Sequence, residues 1–176
     1  MHIRTAQTSD AAALLAIYQP SIENSTTSFE YILPTLAEFE TRISQTLENY
    51  PYLVMVEDDQ ILGYAYAHPY AERAAYQWST EISVYIAKAA QGQGIGRQLY
   101  QKIEAILEKQ NVVNVCACVT GQNQNSIAFH EHMGYEIVGQ FKHIGFKEGQ
   151  WLDTFWLQKE LNCPDVPAPF IPFSKL

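Results

Sequence analysis

No stretch of this chain approaches the run of about 18 apolar residues that a membrane-crossing helix needs. The opening, Met1-His2-Ile3-Arg4-Thr5-Ala6, also lacks the apolar centre of a secretory signal, so a soluble cytoplasmic protein with no membrane partner is the expectation. Basic residues are scarce: 11 Lys and Arg face 19 Asp and Glu, a formal net charge of -8. Nucleic-acid-binding domains carry a basic excess to meet phosphates, which argues against nucleic acid as the partner. A small anionic ligand is still admissible, because screening over about 8 Å at physiological salt leaves local charge decisive. Cysteines number three. Cys116 and Cys118 stand two apart on a predicted strand and share a face, with Cys163 far off; buried free thiols are expected ahead of metal or redox roles. No repeat or low-complexity block occurs before residue 162.

What the chain does hold is an ordinary globular composition, 47% hydrophobic and 17% charged over 176 residues, which suits one domain large enough to bury a core. Ile3 to Thr5 reads as a first strand. Ser9 and Asp10 can cap a helix with Leu14, Ile17, Tyr18 and Ile22 on its apolar face. Pro20 predicts a kink there, or two short helices, since an interior proline removes a hydrogen bond and clashes with the preceding turn. Thr35 and Glu38 form a capping box ahead of a helix that carries Leu36, Phe39, Ile43 and Leu47 and runs to about Asn49. Tyr52 to Glu57 and Ile61 to His68 are strands joined by Asp58-Asp59-Gln60, and Trp78 to Ala87 is a longer strand. A helix with Ile95, Leu99, Ile103 and Ile106 on one face follows, then a strand over Val112 to Val119 and a short helix over Asn123 to Met133. Glu136 to Phe141 and Trp151 to Lys159 make the last two strands. Residues 1–161 are thus expected to form one domain; 162–176 carries four prolines and either covers a surface or stays loose.

The six residues Gln91-Gly92-Gln93-Gly94-Ile95-Gly96 join the long strand to the helix that begins near Arg97. At a helix N-terminus the first N–H groups lack internal partners and carry the positive end of the dipole, so glycines there let a diphosphate approach the main chain. Lys88 and Arg97 flank the loop with the sign such a ligand needs. Two familiar phosphate loops do not fit. Gly96 is followed by Arg97 and Gln98, not by Lys and Ser or Thr, and the glycines give G-x-G-x-G where dinucleotide binding wants G-x-G-x-x-G with an acidic residue about 20 positions on.

A second segment, Asn123 to Tyr135, places Asn123, Ser126 and His130 at i, i+3 and i+7 of a helix, with Phe129 and Met133 as an i, i+4 apolar pair. A polar stripe of this kind is either a solvated face or a face turned toward a site. His130 and His132 diverge by about 200° on the helix and are poor joint metal ligands.

Gln91-x-x-Gly94-x-Gly96 resembles the Q/R-x-x-G-x-G/A loop of the GCN5-related N-acetyltransferases, and Asn123, Phe129, Gly134 and Tyr135 match that family's N-x-x-A-x-x-F-Y-x-x-x-G-F box. The element order agrees too. The resemblance sharpens toward the phosphinothricin and methionine sulfoximine branch through Asn24-Ser25-Thr26-Thr27-Ser28-Phe29, Arg73-Ala74-Ala75-Tyr76-x-Trp78 and Gly145-Phe146-Lys147-x-Gly149-x-Trp151-x-Asp153, covering about residues 2–161. It implies an α/β fold with a mixed, mostly antiparallel central sheet flanked by helices. Acetyl-coenzyme A is the implied co-substrate, with no metal required. Gln91, Gly92, Gln93, Gly94, Ile95, Gly96 and Arg97 would hold its pyrophosphate; the main chain of Val84, Tyr85 and Ile86 would pair with the pantetheine arm, and Asn123 would hold that arm's end. In many relatives a tyrosine in the box protonates the departing thiolate. Here His130 stands in its place, and imidazolium is a competent donor near neutral pH.

Acetyl transfer to an amine also needs a base, since α-amino groups with pKa values of about 7.7 to 8.0 leave only about a tenth neutral at pH 7. Strand alternation sends Ile82, Val84 and Ile86 to one face and Glu81, Ser83 and Tyr85 to the other. Glu81 matches the branch's base, the alternative being an ordinary surface glutamate. Arg73 is a candidate for gripping the acceptor's carboxylate or phosphinate with two parallel bonds, or it faces solvent. Phe29 and Tyr76 are candidate pocket walls or core aromatics. Lys147 and Trp151 match the branch motif without an evident role. The implied activity is acetylation of the α-amino group of a small amino acid such as methionine sulfoximine or phosphinothricin, by a homodimer. A peptide N-terminal acetyltransferase and a non-catalytic acetyl-coenzyme A sensor are the competing readings.

Overall fold

One seven-stranded sheet, with strands in the order β1-β2-β3-β4-β5-β7-β6, organises the chain, which a computed structural model describes over residues 1–176. The strands are β1 His2–Thr5, β2 Tyr52–Glu57, β3 Gln60–Pro69, β4 Ser79–Ile86, β5 Asn114–Thr120, β6 Glu136–Lys147 and β7 Gln150–Glu160. Four helices accompany them: α1 Ala11–Glu23, α2 Leu36–Asn49, α3 Ile95–Lys109 and α4 Gln124–His132. Every neighbouring pair is antiparallel except β4 and β5. The expected mixed, mostly antiparallel architecture is therefore what forms.

Local chemistry accounts for the connections. Asp58 and Asp59 both take positive φ, 47° and 62°, which makes the two-residue hairpin turn whose twist suits antiparallel strands. Glu148 and Gly149 repeat the device between β6 and β7, at φ 52° and 74°. The Thr35 hydroxyl accepts from the Glu38 N–H at 3.3 Å while the Glu38 carboxylate accepts from the Thr35 N–H at 2.7 Å, closing the capping box of α2. Asp10 does not cap α1 with its side chain. It accepts from the Gln7 N–H at 2.8 Å and pairs with Arg4, fixing the 3₁₀ turn that precedes the helix.

Alternate residues of the central strands feed two cores. Tyr52, Val54 and Tyr64 pack against Leu14, Tyr18, Phe39 and Ile43 of α1 and α2. Leu53, Met55, Ala65 and Ile82 pack against Ile95, Leu99, Ile103 and Leu107 of α3 on the other face. Burying strands on both faces explains why β2 reads as a continuous apolar run.

Three expectations need correction, and for the tail one of two alternatives is selected. Pro20 neither splits nor ends α1; it sits on the exposed side with Ala16 also exposed, so the carbonyl it leaves unbonded can take water. Cys116 is only half-buried and Cys118 is exposed, because their face of β5 carries no helix while Val115 and Ala117 face α3. β6 extends to Lys147 through an irregularity between Phe141 and Gly145, where Asp153 accepts from the His143 N–H at 2.8 Å and His143 takes φ 51°. Finally, residues 168–176 cover the chain's own surface. Phe170 packs on Tyr50, Trp78 Nε1 donates to the Ala168 carbonyl at 2.7 Å, and buried Gln110 donates to the carbonyls of Asn49 and Ile171.

Candidate active site

β4 and β5 are paired only over Ser79–Glu81 and Asn114–Cys116; beyond that point they part. The hydrogen bonds from Tyr70 N to Ser79 O and from Ala87 N to Leu62 O show that odd-numbered residues of β4 turn their main chain to β3. In an antiparallel ladder the alternate residues must then face the other edge. Val84 and Ile86 accordingly offer N–H and C=O groups to the gap. Tyr85 does not: its main chain is committed to Tyr64 of β3, and only its side chain reaches the cleft, a correction to its expected pairing role.

That gap continues into a cleft of about 560 Å³ whose walls include Val84, Tyr85, Ile86, Gln91, Gly92, Gly94, Ile95, Gly96, Arg97 and Asn123. Segments that the sequence separates by nearly forty positions are thus brought to one place. Gln93 falls outside the lining, with its amide turned to the Ala89 carbonyl at 3.3 Å, and the Ile95 side chain belongs to the α3 core. Gly94 caps α3 in the left-handed region at φ 76°, and Gly92 has φ 77°. The first α3 bond runs from Gln98 N to Gly94 O, which leaves the N–H groups of Ile95, Gly96 and Arg97 without helical acceptors. An open, N–H-lined surface beside Arg97 fits a diphosphate. The Asn123 Oδ1 accepts from the Ser126 N–H at 3.2 Å to cap α4, so its amide NH₂ is what it can extend to a ligand.

Thr27, from the connection between α1 and α2, lines both this cleft and the narrower slot between the parted strands. The slot also carries Ser83, Tyr100, Cys118, Asn123, Ser126 and His130. The polar stripe of α4 therefore faces a site and not solvent.

His130 is 3% exposed. Its Nδ1 lies 2.7 Å from the Ser126 carbonyl, which can only accept, so Nδ1 carries hydrogen and Nε2 accepts from the Tyr100 hydroxyl at 2.8 Å. Burial lowers the imidazole pKa, outweighing the Ser126 hydrogen bond. A resident imidazolium, as the sequence led one to expect, is thus replaced by a neutral ring hydrogen-bonded at both nitrogens. Tyr100 is a partner the sequence did not disclose, since nothing in the α3 pattern distinguishes a core tyrosine from one facing a slot.

Glu81 leaves the α3 side of the sheet, as strand alternation requires, while its neighbours Thr80 and Ile82 are buried. Burial raises its carboxyl above the ordinary value, and His68, whose Nε2 lies 3.9 Å from Oε2, pulls in the opposite direction. Cys116 sits beside it on β5, and burial together with the Glu81 charge pushes that thiol up to about 11. It is no thiolate at neutral pH.

The three residues expected on the acceptor side are placed as follows. Phe29 is partly exposed and lies against Gly145 of β6. Arg73 begins a 3₁₀ turn between β3 and β4; it is exposed and makes neither an ion pair nor a side-chain hydrogen bond. Tyr76 packs edge-on to Tyr70 at 5.5 Å, and Tyr70 in turn meets Trp156 at 5.7 Å. A further cavity of about 190 Å³ lies on the Glu81 side of the sheet, lined by Tyr18, Arg42, Tyr52, Tyr66 and His68 among others. Neither Trp156 nor His68 was singled out from sequence, where strand aromatics and histidines carry no local signal.

The match to known proteins follows the same geometry. Residues 3–156 match the acetyltransferase (GNAT) domain. Phosphinothricin N-acetyltransferase of Alcaligenes faecalis is 38% identical over 172 residues, covering 95% of this chain and 86% of the relative. The L-methionine sulfoximine/L-methionine sulfone acetyltransferase of Pseudomonas aeruginosa is 33% identical over 172 residues, covering 95% and 98%. Among solved structures, a GNAT superfamily phosphinothricin acetyltransferase from Sinorhizobium meliloti in complex with AcCoA superposes with a TM-score of 0.91 at 32% identity, covering 99% of this chain and 97% of that one. A parted β4–β5 pair, a glycine loop opening α3 and relatives aligned along nearly their whole length together make this chain a member of the GNAT family and an acetyltransferase.

Proposed function

We propose that this enzyme transfers the acetyl group of acetyl-coenzyme A to the α-amino group of a small amino acid such as L-methionine sulfoximine or L-phosphinothricin, a detoxifying reaction. The observation that carries the reading is the single cleft joining the N–H-lined loop at residues 91–97 to the strand gap at Val84 and Ile86, with Glu81 at the point where the strands part. The acetyltransferases of Alcaligenes faecalis and Pseudomonas aeruginosa support the choice of acceptor through their names.

Acetyl-coenzyme A, when bound, supplies a thioester open to attack by an amine. The Gly92 to Arg97 main chain holds the pyrophosphate, and the Asn123 amide steadies the pantetheine end. Glu81 takes a proton from the acceptor's ammonium, directly or through water; its raised pKa makes it a better base than an exposed carboxylate. A gap-facing N–H of Val84 or Ile86 stabilises the charge that develops on the acyl oxygen. A proton taken up from water first converts the neutral resting ring to imidazolium; His130 then delivers a proton to the departing sulfur through Tyr100, Nε2–H passing to the tyrosine oxygen as the tyrosine O–H passes to sulfur. Nδ1–H stays on the Ser126 carbonyl throughout, so the neutral ring found at rest is the state left after delivery. Burial makes the imidazolium scarce and correspondingly acidic.

On the acceptor side, Arg73 is unpaired and available to a carboxylate or phosphinate, with Phe29 and Tyr76 as walls. Residues 1–161 constitute the catalytic domain and 162–176 its strap. A homodimer is favoured by the apolar side chains exposed along β6 and β7, including Ile137, Phe141, Ile144, Phe146 and Trp151. The reaction belongs in the cytoplasm, where acetyl-coenzyme A is supplied. Thiol release from acetyl-coenzyme A across both inhibitors, ordinary amino acids and short peptides tests the proposal. Fast release with the inhibitors and almost none with peptides is expected; the reverse order would refute it.

A further inference from the structure

We propose that Lys147 is a positioning residue for acceptor recognition, holding the segment between α1 and α2 against β6 so that Thr27 and Phe29 border the acceptor site. The inference rests on the functional reading above for what the site accepts, and on the geometry below for how it is held.

Lys147 is 5% exposed, and its Nζ donates to three main-chain carbonyls: Ile22 at 2.8 Å, Ser25 at 2.9 Å and Ser28 at 2.7 Å. An ammonium has three hydrogens, so this one is fully used. No carboxylate lies within ion-pair distance of it. Burying an ammonium without a counter-charge is costly unless all its donors are satisfied, and it is an uneconomical way merely to close a loop. The three carbonyls belong to the end of α1 and the turn after it, whose remaining polar groups need partners once the helix stops. A lysine from a strand more than a hundred positions away is what satisfies them.

The same strand makes a second contact with the segment. Gly145 lies two residues before Lys147 and so points to the same face. A Cβ built there would come within 2.2 Å of the Phe29 ring, so the aromatic side chain occupies the space that any other residue at position 145 would fill. Tyr31 closes the far end by donating its hydroxyl to the Phe146 carbonyl. Thr26, inside the clamp, donates to Gln122 at 2.8 Å.

What the clamp holds is the segment nearest the chemistry. Thr27 lines the strand slot, the large cleft and the polar recess beside Asn123, so a shift of the turn changes all three at once. The β6–β7 hairpin thereby sets the shape of the acceptor side without itself lining the slot. Positioning of this kind is sensitive: a misplacement of about 1 Å can cost about a hundredfold in rate.

Two variants test it by different routes. Lys147→Met keeps the length and removes the donors. Gly145→Ala leaves the donors and displaces Phe29 directly. Both are expected to raise the acceptor KM by about tenfold and the KM for acetyl-coenzyme A by less, because the loop at 91–97 is untouched and Thr27 alone of residues 22–31 lines the donor cleft. Amide hydrogen exchange in Lys147→Met should accelerate in residues 24–31 and stay unchanged in β4. A lowered melting temperature with acceptor KM unchanged in both variants would overturn the proposal, as would unaltered exchange over 24–31. A wild-type enzyme that acetylates no amino acid would refute the functional reading instead, and the exchange measurement would then decide the clamp alone.

Discussion

The Tyr100 hydroxyl donates to Nε2 of His130 at 2.8 Å, across thirty positions of sequence and within the slot between the parted strands. The pair joins α3 to α4 with a buried polar contact, and it is the only acceptor-side bond available to that ring nitrogen. Tyr100→Phe removes the donor and leaves a buried acceptor unsatisfied, a loss of about 1 to 3 kcal/mol in stability. If the hydroxyl also relays the proton to sulfur, kcat should fall by about 10² or more while the affinity for acetyl-coenzyme A holds. Denaturant unfolding and initial rates on the same preparation measure the two effects.

His68 tunes Glu81. The carboxyl is raised by burial and lowered by the imidazole 3.9 Å away, and it must be ionised to act as a base. Removing the imidazole in His68→Gln takes away the influence that lowers the carboxyl, so the acidic limb of kcat/KM should move to higher pH. A full pH profile with one acceptor is the check. A limb displaced toward lower pH would mean that the base is another group.

Gly94 and Gly96 should respond differently to alanine. Gly94 holds φ 76°, where a Cβ costs about 1 kcal/mol, and that conformation turns the first α3 N–H groups outward. Gly96 has ordinary φ, and an added Cβ would meet the Phe129 ring at 3.5 Å, which is normal contact. Gly94→Ala is therefore expected to weaken acetyl-coenzyme A binding at least about tenfold and Gly96→Ala less than about threefold, as titration calorimetry would show.

The exposed apolar edge of β6 and β7 predicts association of two copies. Phe141 and Ile144 are 52% and 58% exposed. Placing aspartate at both sites opposes burial of that edge. Light scattering should give the mass of two chains for the parent protein and of one for the double variant, with the melting temperature of the monomeric fold nearly unchanged.

Much of this architecture is readable from local chemistry. The capping box at Thr35 and Glu38, the turn at Asp58 and Asp59, and the glycine loop each act within a few residues, so their geometry follows from residue type. Glu81 was legible because strand alternation settles its face. Pro20 misled because its effect depends on whether the freed carbonyl meets solvent, which is tertiary information. The same applies to Cys118, whose exposure depends on which face of β5 the helices leave bare. Tyr100 and His68, and the role though not the motif match of Lys147, were silent in sequence for a common reason: each works through a partner at least thirteen positions away, and a tyrosine, histidine or lysine in a regular element carries no mark of that partner. The β6 irregularity escaped because three residues held out of register by Asp153 break the alternation that marks a strand.

In the proposed reaction Glu81 activates an amino-acid amine at the mouth of the strand gap. Single-turnover mixing of enzyme preloaded with acetyl-coenzyme A against L-methionine sulfoximine, with acetylated product followed by mass spectrometry, tests it in wild type and Glu81→Gln side by side. With Glu81 as the base, donor loading should be equal and product formation slowed by about 10² to 10⁴ in the variant. Product formed at the wild-type rate by Glu81→Gln would contradict it.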